Sequence, residues 1–236
     1  MTGKKYCRAL TIAGSDPSGG AGLQADLKTF SALGCYGTTV VVAVVDENTV
    51  GVTGVHPIPV EFVKGQIRSV LDDIGTDAIK IGMLHSSELI RAVRDTLAAY
   101  DIRNIVLDPV MVATSGDPLL EQDAVATLRD ELIPAVRVIT PNIPEAELLL
   151  DHPIDGQDAL PEAARELSGL CGGVSVFLKA GHLHDDELID IFYNAETGVT
   201  TELKSKRLAT VNTHGTGCTL SSAFAAALAK GMSLDD

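Results

Sequence analysis

Short apolar runs rich in β-branched residues alternate with amphipathic stretches along nearly the whole chain. The runs Ala9–Ala13, Thr38–Val45, Ala78–Ile81, Ile105–Leu107, Val136–Thr140 and Val174–Lys179 predict β-strands. Between them, Leu23, Leu27, Phe30 and Leu33 recur at helical spacing and stop before Gly34. Phe62, Ile67, Val70, Leu71 and Ile74 repeat the pattern before Gly75. Further helices are predicted over Ser87–Ala99, Ala124–Leu132 and Leu160–Leu170, and a last one carries Leu220, Phe224 and Leu228. Glu187–Tyr193 and Thr200–Lys206 flank a turn-forming stretch and predict a hairpin. Strands alternating with helices imply right-handed crossovers and a mainly parallel sheet covered on both faces. The expectation is one α/β domain over residues 1–236, with no internal repeat or linker.

Composition narrows the class. Of 236 residues, 45% are hydrophobic and 21% charged, which allows a large core and argues against disorder. A formal charge of −14 disfavours nucleic acid and anionic lipid, both of which are bound mainly by neutralising phosphates. It leaves room for a small phosphorylated ligand in a local positive pocket. Cys7, Cys35, Cys171 and Cys218 show neither C-x-x-C spacing nor the density of a disulfide framework, so a reducing, cytoplasmic setting is expected. The N-terminus reads directly into a strand rather than a signal-peptide core, and Val40–Val45 is too short to span a bilayer.

The candidate chemistry lies where strands give way to loops. In Asn212-Thr213-His214-Gly215-Thr216-Gly217-Cys218, two glycines open a helix, and small side chains there let backbone N–H groups and the helix dipole face an anion. The competing reading is a plain glycine turn. Cys218, in the first helical turn, is either an activated thiol or a small buried residue. Asn142 and Glu145 follow a strand and suit Mg²⁺ held through water beside ATP phosphates, but they also spell a capping box. Lys179 and Asp108 end their strands, where a lysine can meet a phosphate and an aspartate can tune metal or phosphate charge. A solvated lysine and a turn-opening aspartate are the plainer alternatives. Gly20-Ala21-Gly22-Leu23-Gln24-Ala25 matches a dinucleotide fingerprint in letters, but it starts too far beyond the first strand for a dehydrogenase. A G-x-x-x-x-G-K-[ST] phosphate loop is absent.

Order and identity together are specific. The string from Leu10 to Phe30, Lys80-Ile81-Gly82-Met83-Leu84, Asp108-Pro109-Val110-Met111, Thr140–Glu145 and Asn212–Ser221 resembles the hydroxymethylpyrimidine/phosphomethylpyrimidine kinases of thiamine biosynthesis. These belong to the ribokinase superfamily, and the resemblance covers nearly the whole chain. It implies a three-layer α/β/α sandwich and Mg-ATP-dependent phosphorylation of 4-amino-5-hydroxymethyl-2-methylpyrimidine, then of its monophosphate. It further implies an anion hole from Gly215, Thr216, Gly217 and Cys218, with Cys218 where other superfamily members carry an aspartate base. Lys179, Asn142 and Thr213 would bind ATP, and Glu145 with Asp108 would organise Mg²⁺. Gly14, Asp26, Val45, Glu47, Met83 and Val110 would form the pyrimidine pocket, and a homodimer is implied.

The chain departs from the family pattern twice. Asp46-Glu47-Asn48-Thr49 stands where relatives commonly carry Ala-Gln-Asn-Thr. A glutamine amide both donates and accepts, matching an aminopyrimidine edge, whereas an ionised Glu47 only accepts. Glu47 is therefore expected to select a protonated pyrimidine or to signal another substrate. The chain also ends near Asp236, where relatives usually continue into a further helix. Pyridoxal kinase is the nearest rival function, and a non-catalytic pyrimidine sensor is a more distant one. The sensor reading conflicts with the retained Lys179, Asn142, Glu145 and Gly215–Cys218 turn. His182 and His184 read as part of a solvated loop, since two ligands alone define no metal site.

Overall fold

The alternation of strands and helices takes form around β1 (Arg8–Ala13), which lies inside an eight-stranded sheet. The computed structural model describes residues 6–111, 123–183, 185–210 and 212–236. From β1 the chain runs through α1 (Gly22–Ala32) to the edge strand β2 (Tyr36–Val41), then into a separate hairpin, β3 (Ala43–Glu47) and β4 (Val52–Pro57). After α2 (Val60–Asp73) it returns to the other side of β1 as β5 (Ala78–Ile81). The strands β6 (Ile105–Leu107), β7 (Val138–Ile139) and β8 (Ser175–Leu178) then add outward, all parallel, through α3 (Ser87–Leu97), α4 (Ala124–Thr127), α5 (Ile143–Leu150) and α6 (Leu160–Leu170). An antiparallel pair, β9 (Glu187–Asn194) and β10 (Val199–Lys206), closes the far edge, and α7 (Thr216–Ala229) packs back across the centre.

Side-chain alternation divides the core into two layers. Leu10, Ile12, Ile79, Ile81, Leu107, Ile139, Val176 and Leu178 join the buried faces of α2, α3, α5 and α6. The opposite faces of the same strands carry Ala9, Ala78, Val106, Val138 and Phe177, which meet Phe30 of α1 and Ala225, Ala226 and Leu228 of α7. Small residues on both sides let α7 lie close to the sheet. Phe177, Phe192 and Phe224 fill the outer part of this layer, with ring centroids 5.7–6.3 Å apart.

Several expected boundaries shift for identifiable reasons. Thr38–Val45 is not one strand. Val42 donates to the Ala13 carbonyl and accepts from the Ile58 amide, and Ala43 accepts from Ser15, so the chain leaves the sheet and begins the hairpin. Val136–Thr140 shortens to β7, and Ala124–Leu132 is α-helical only to Thr127 before a π turn over Leu128–Leu132. Phe62, grouped above with the apolar side of α2, is 66% exposed. Val63 takes the core position, because Val63, Ile67 and Leu71 form the i, i+4, i+8 stripe. No helix among the described residues is long and apolar enough to cross a membrane.

Candidate active site

The chain goes from β1 to β2 on one side and then to β5 on the other, so a crevice opens at the carboxyl ends of the central strands. Open α/β sheets bind ligands at such a reversal. A cavity of about 780 Å³ occupies this edge. Gly14 follows β1, Met83 β5, Asp108 β6, Asn142 β7 and Lys179 β8, and all five line it. The β3–β4 hairpin forms one wall through Val45 and Glu47, and the first turn of α7 forms another.

The phosphate-binding character of that turn rests on its backbone. Gly215 caps α7 at φ +81°, a left-handed conformation that favours glycine. The amides of Gly215, Gly217 and Cys218 have no acceptor among the described residues, so three donors face the cavity with the positive end of the helix dipole. Gly217 is small because a Cβ there would sit 3.2 Å from Lys179 Nζ and 3.6 Å from Asp108 Oδ2. Lys179 donates to Asp108 Oδ1 at 3.0 Å, and Thr140 donates to the same oxygen. Burial works against the Lys179 ammonium, but Asp108 and Glu145 outweigh it and raise its pKa. Burial likewise opposes the Asp108 carboxylate, and Lys179 and Lys80 nevertheless hold its pKa below the ordinary value. The pair is a fixed positive and negative charge directly under the helix terminus.

Asn142 and Glu145 do form the capping box: Glu145 N donates to Asn142 Oδ1 at 2.9 Å, and Asn142 N to Glu145 Oε2 at 2.8 Å. Both also line the cavity. Burial pushes the Glu145 carboxyl up to about 7, with Asp108 adding to the rise and Lys179 opposing it. Hard oxygen donors, one of them a carboxyl whose charge is poorly compensated, suit Mg²⁺, which takes one or two carboxylates and fills its shell with water and phosphate. Because the folded pKa exceeds the unfolded one, Glu145 costs stability increasingly as pH rises from the unfolded value through about 7. Glu145→Gln is therefore expected to raise the melting temperature of the ligand-free protein at pH 8 while weakening Mg-ATP binding. Thermal unfolding with and without Mg-ATP checks both signs, and loss of stability without nucleotide would contradict the charge assignment.

Cys218 is partly buried, and burial pushes its thiol up despite the opposing Lys80 ammonium. The resting group is a neutral thiol. Lys80, quoted above only as the start of the Lys80–Leu84 motif, has no role assigned from the sequence because it sits within the apolar run of β5. It is 0% exposed, lines the cavity and bonds Asp26 at 2.9 and 3.0 Å. Asp26, expected in the substrate pocket, does not line it. Its carboxylate is fully buried and collects Thr11 from β1, Lys80 from β5 and Ser222 from α7, so it anchors Lys80 instead. Removing one member of a buried pair typically costs about 3–5 kcal/mol.

Gly14, Val45, Glu47, Met83, Val110, Asn142, Glu145, Asp108, Lys179, Thr213 and the residues from Gly215 to Cys218 all border the one cavity. Glu47 ends β3 at a register shift, and burial together with the Asp16 charge raises its pKa, His214 opposing. His182 stands exposed at the rim, while His184 lies outside the described residues. Asp16 and His214 were not assigned roles in the sequence, yet they join across 198 positions at 2.8 Å.

A cradle of helix-terminal amides with a partly buried lysine and a buried aspartate in an open crevice at the strand ends defines a small-molecule kinase of ribokinase-like architecture. Comparison with known proteins agrees. The family model for phosphomethylpyrimidine kinase matches residues 16–236. The hydroxymethylpyrimidine/phosphomethylpyrimidine kinase of Escherichia coli strain K12 is 51% identical over 224 residues, which cover 94% of this chain and 83% of the relative. A crystal structure of phosphomethylpyrimidine kinase from Clostridium difficile 630 superposes with TM-score 0.85 at 40% identity, covering 98% of this chain and 94% of that one. The pyridoxal kinase from Staphylococcus aureus, in complex with AMP-PCP and pyridoxal, gives 0.86 at 32%, covering 98% and 83%. The chain belongs to the phosphomethylpyrimidine kinase family, and it is a phosphotransferase that uses ATP.

Proposed function

We propose that the protein transfers the γ-phosphoryl group of ATP to the hydroxymethyl group of 4-amino-5-hydroxymethyl-2-methylpyrimidine, then to the resulting monophosphate, giving the diphosphate. The observation that carries this reading is one continuous cavity, with the free amides of α7 and Lys179 at one side and Glu47, Val45 and Met83 at another. Phosphoryl transfer through a loose transition state depends chiefly on alignment and charge neutralisation. In this account the amides of Gly215, Gly217 and Cys218 bind the transferred phosphoryl, and Lys179 meets the β- and γ-phosphates. Asn142 and Thr213 contact the nucleotide. Glu145 and Asp108 would hold Mg²⁺, which supplies further neutralisation of the phosphate charge when bound. The resting Cys218 thiol positions the acceptor hydroxyl rather than ionising it. Gly14, with its would-be Cβ 3.2 Å from Met83 Cε, keeps the pocket floor open for a flat ring, and Val110 borders the same space.

Glu47 sets the acceptor's protonation. A carboxyl group and an aminopyrimidine edge pair well when they share one proton between carboxyl and ring nitrogen. The raised pKa of Glu47 favours that state. Pyrimidine affinity is expected to weaken as pH rises, and Glu47→Gln to flatten the dependence. Calorimetric titration between pH 6 and 9 decides it, and unchanged affinity, substrate choice and pH dependence in Glu47→Gln would refute the shared proton.

A cytoplasmic, homodimeric enzyme completes the proposal. Free thiols at Cys7, Cys35, Cys171 and Cys218 support a reducing setting. Tyr36 and Val44, apolar and exposed on β2 and the hairpin, offer surface to a second copy.

A further inference from the structure

The loop after β1 and the turn before α7 are locked together by a polar pair, Asp16 and His214. Asp16 is fully buried and accepts four hydrogen bonds. Three come from its own loop: Ser18 N at 2.7 Å, Ser18 Oγ at 2.9 Å and Ala21 N at 2.6 Å. The fourth comes from His214 Nε2 at 2.8 Å. Burial alone would raise the Asp16 carboxyl, yet the bonds from Ser18, His214 and Ala21 bring it to about 2. An ionised carboxylate only accepts, so His214 Nε2 carries the hydrogen.

The backbones interlock at the same place. A Cβ on Gly20 would stand 2.7 Å from the His214 ring, and one on Gly215 would stand 1.8 Å from the Gly20 carbonyl oxygen. Lys28 Nζ ties the Gly19 carbonyl from α1 at 2.6 Å. His214 thus immediately precedes the residue that caps α7, and its ring is fastened to a loop that Ser15 ties to Ala43 and Val45 of the hairpin wall. The turn holds three amides without an acceptor among the described residues. Among those residues, Thr216 bonds the Thr213 carbonyl and Thr219 bonds the Gly215 carbonyl through both N and Oγ1, which fixes the turn to α7 but not to the pocket.

We infer that Asp16 and His214 are positioning residues: their hydrogen bond sets the α7 amides against the acceptor pocket for transfer. This rests on the phosphotransfer reading above for the site, but not on the identity of the acceptor. Displacing reacting groups by about 1 Å costs as much as a hundredfold in rate. His214→Ala is accordingly expected to lower kcat by about ten- to a hundredfold, with KM for ATP and acceptor moving less than about threefold. His214→Gln, whose Nε2–H reaches the same place, is expected to recover most of the loss.

A second readout needs no acceptor. In Mg²⁺ buffer, the preference of the protein for ADP–aluminium fluoride over ADP should fall about tenfold in His214→Ala and return in His214→Gln, since aligned amides favour the transition-state mimic. An unchanged preference, or equal loss in both variants, would overturn the latch. A fall in preference from a wild-type protein that phosphorylates no pyrimidine would leave the latch standing and refute the substrate reading.

Discussion

Gly215→Ala is expected to lower kcat/KM by about 10²–10³-fold, the scale seen when an oxyanion-binding donor is lost. Two effects combine at this position. Alanine at φ +81° is strained by about 1–2 kcal/mol. Its methyl group would also lie 1.8 Å from the Gly20 carbonyl oxygen, so the turn and the loop must part. The amides of Gly215, Gly217 and Cys218 would then no longer converge on one point. Gly231 supplies the control. It too has positive φ, at +83°, but a Cβ there meets nothing within 4 Å. Gly231→Ala should cost about 1 kcal/mol of stability and leave kcat at the wild-type value. Equal kinetic damage in the two variants would show that backbone strain, not the anion cradle, controls activity.

Lys179→Met carries the second large effect, a fall in kcat of about 10²–10³-fold, because the charge nearest the α7 terminus is removed. Stability should fall as well, since the buried Asp108 carboxylate loses its 3.0 Å partner. Adding Asp108→Asn removes the unpaired buried carboxylate, and with it one of the groups assigned to Mg²⁺. The double variant should regain melting temperature while remaining inactive. Recovery of activity with the restored stability would mean that Lys179 serves the fold rather than the phosphate. Steady-state kinetics and thermal unfolding of the same samples give both answers.

The parallel sheet was legible because its strands read as short, nearly continuous apolar runs, as Ile105–Leu107 and Leu10–Ala13 within β1 illustrate. The site motifs were legible because β-strand ends, prolines and glycines punctuate the sequence at Asp108, Asn142, Lys179 and Gly215. What escaped depends on contacts between distant segments. The break at Val42 follows from hydrogen bonds to Ala13 and Ile58, which no local pattern encodes. The hairpin strand Val52–Pro57 is half exposed and lacks a clean alternation of apolar residues. The family resemblance implies a pocket role for Asp26, but its helix turns it inward onto Lys80. A lysine inside an otherwise fully apolar strand was the available signal for that buried pair. Nothing in spacing links Asp16 to His214.

The proposed activity is tested most directly by mass spectrometry of the products formed from Mg-ATP with hydroxymethylpyrimidine, its monophosphate and pyridoxal, each incubated separately. It predicts the monophosphate and then the diphosphate of the pyrimidine. Phosphorylation of pyridoxal alone, or no product from a folded protein, would contradict it.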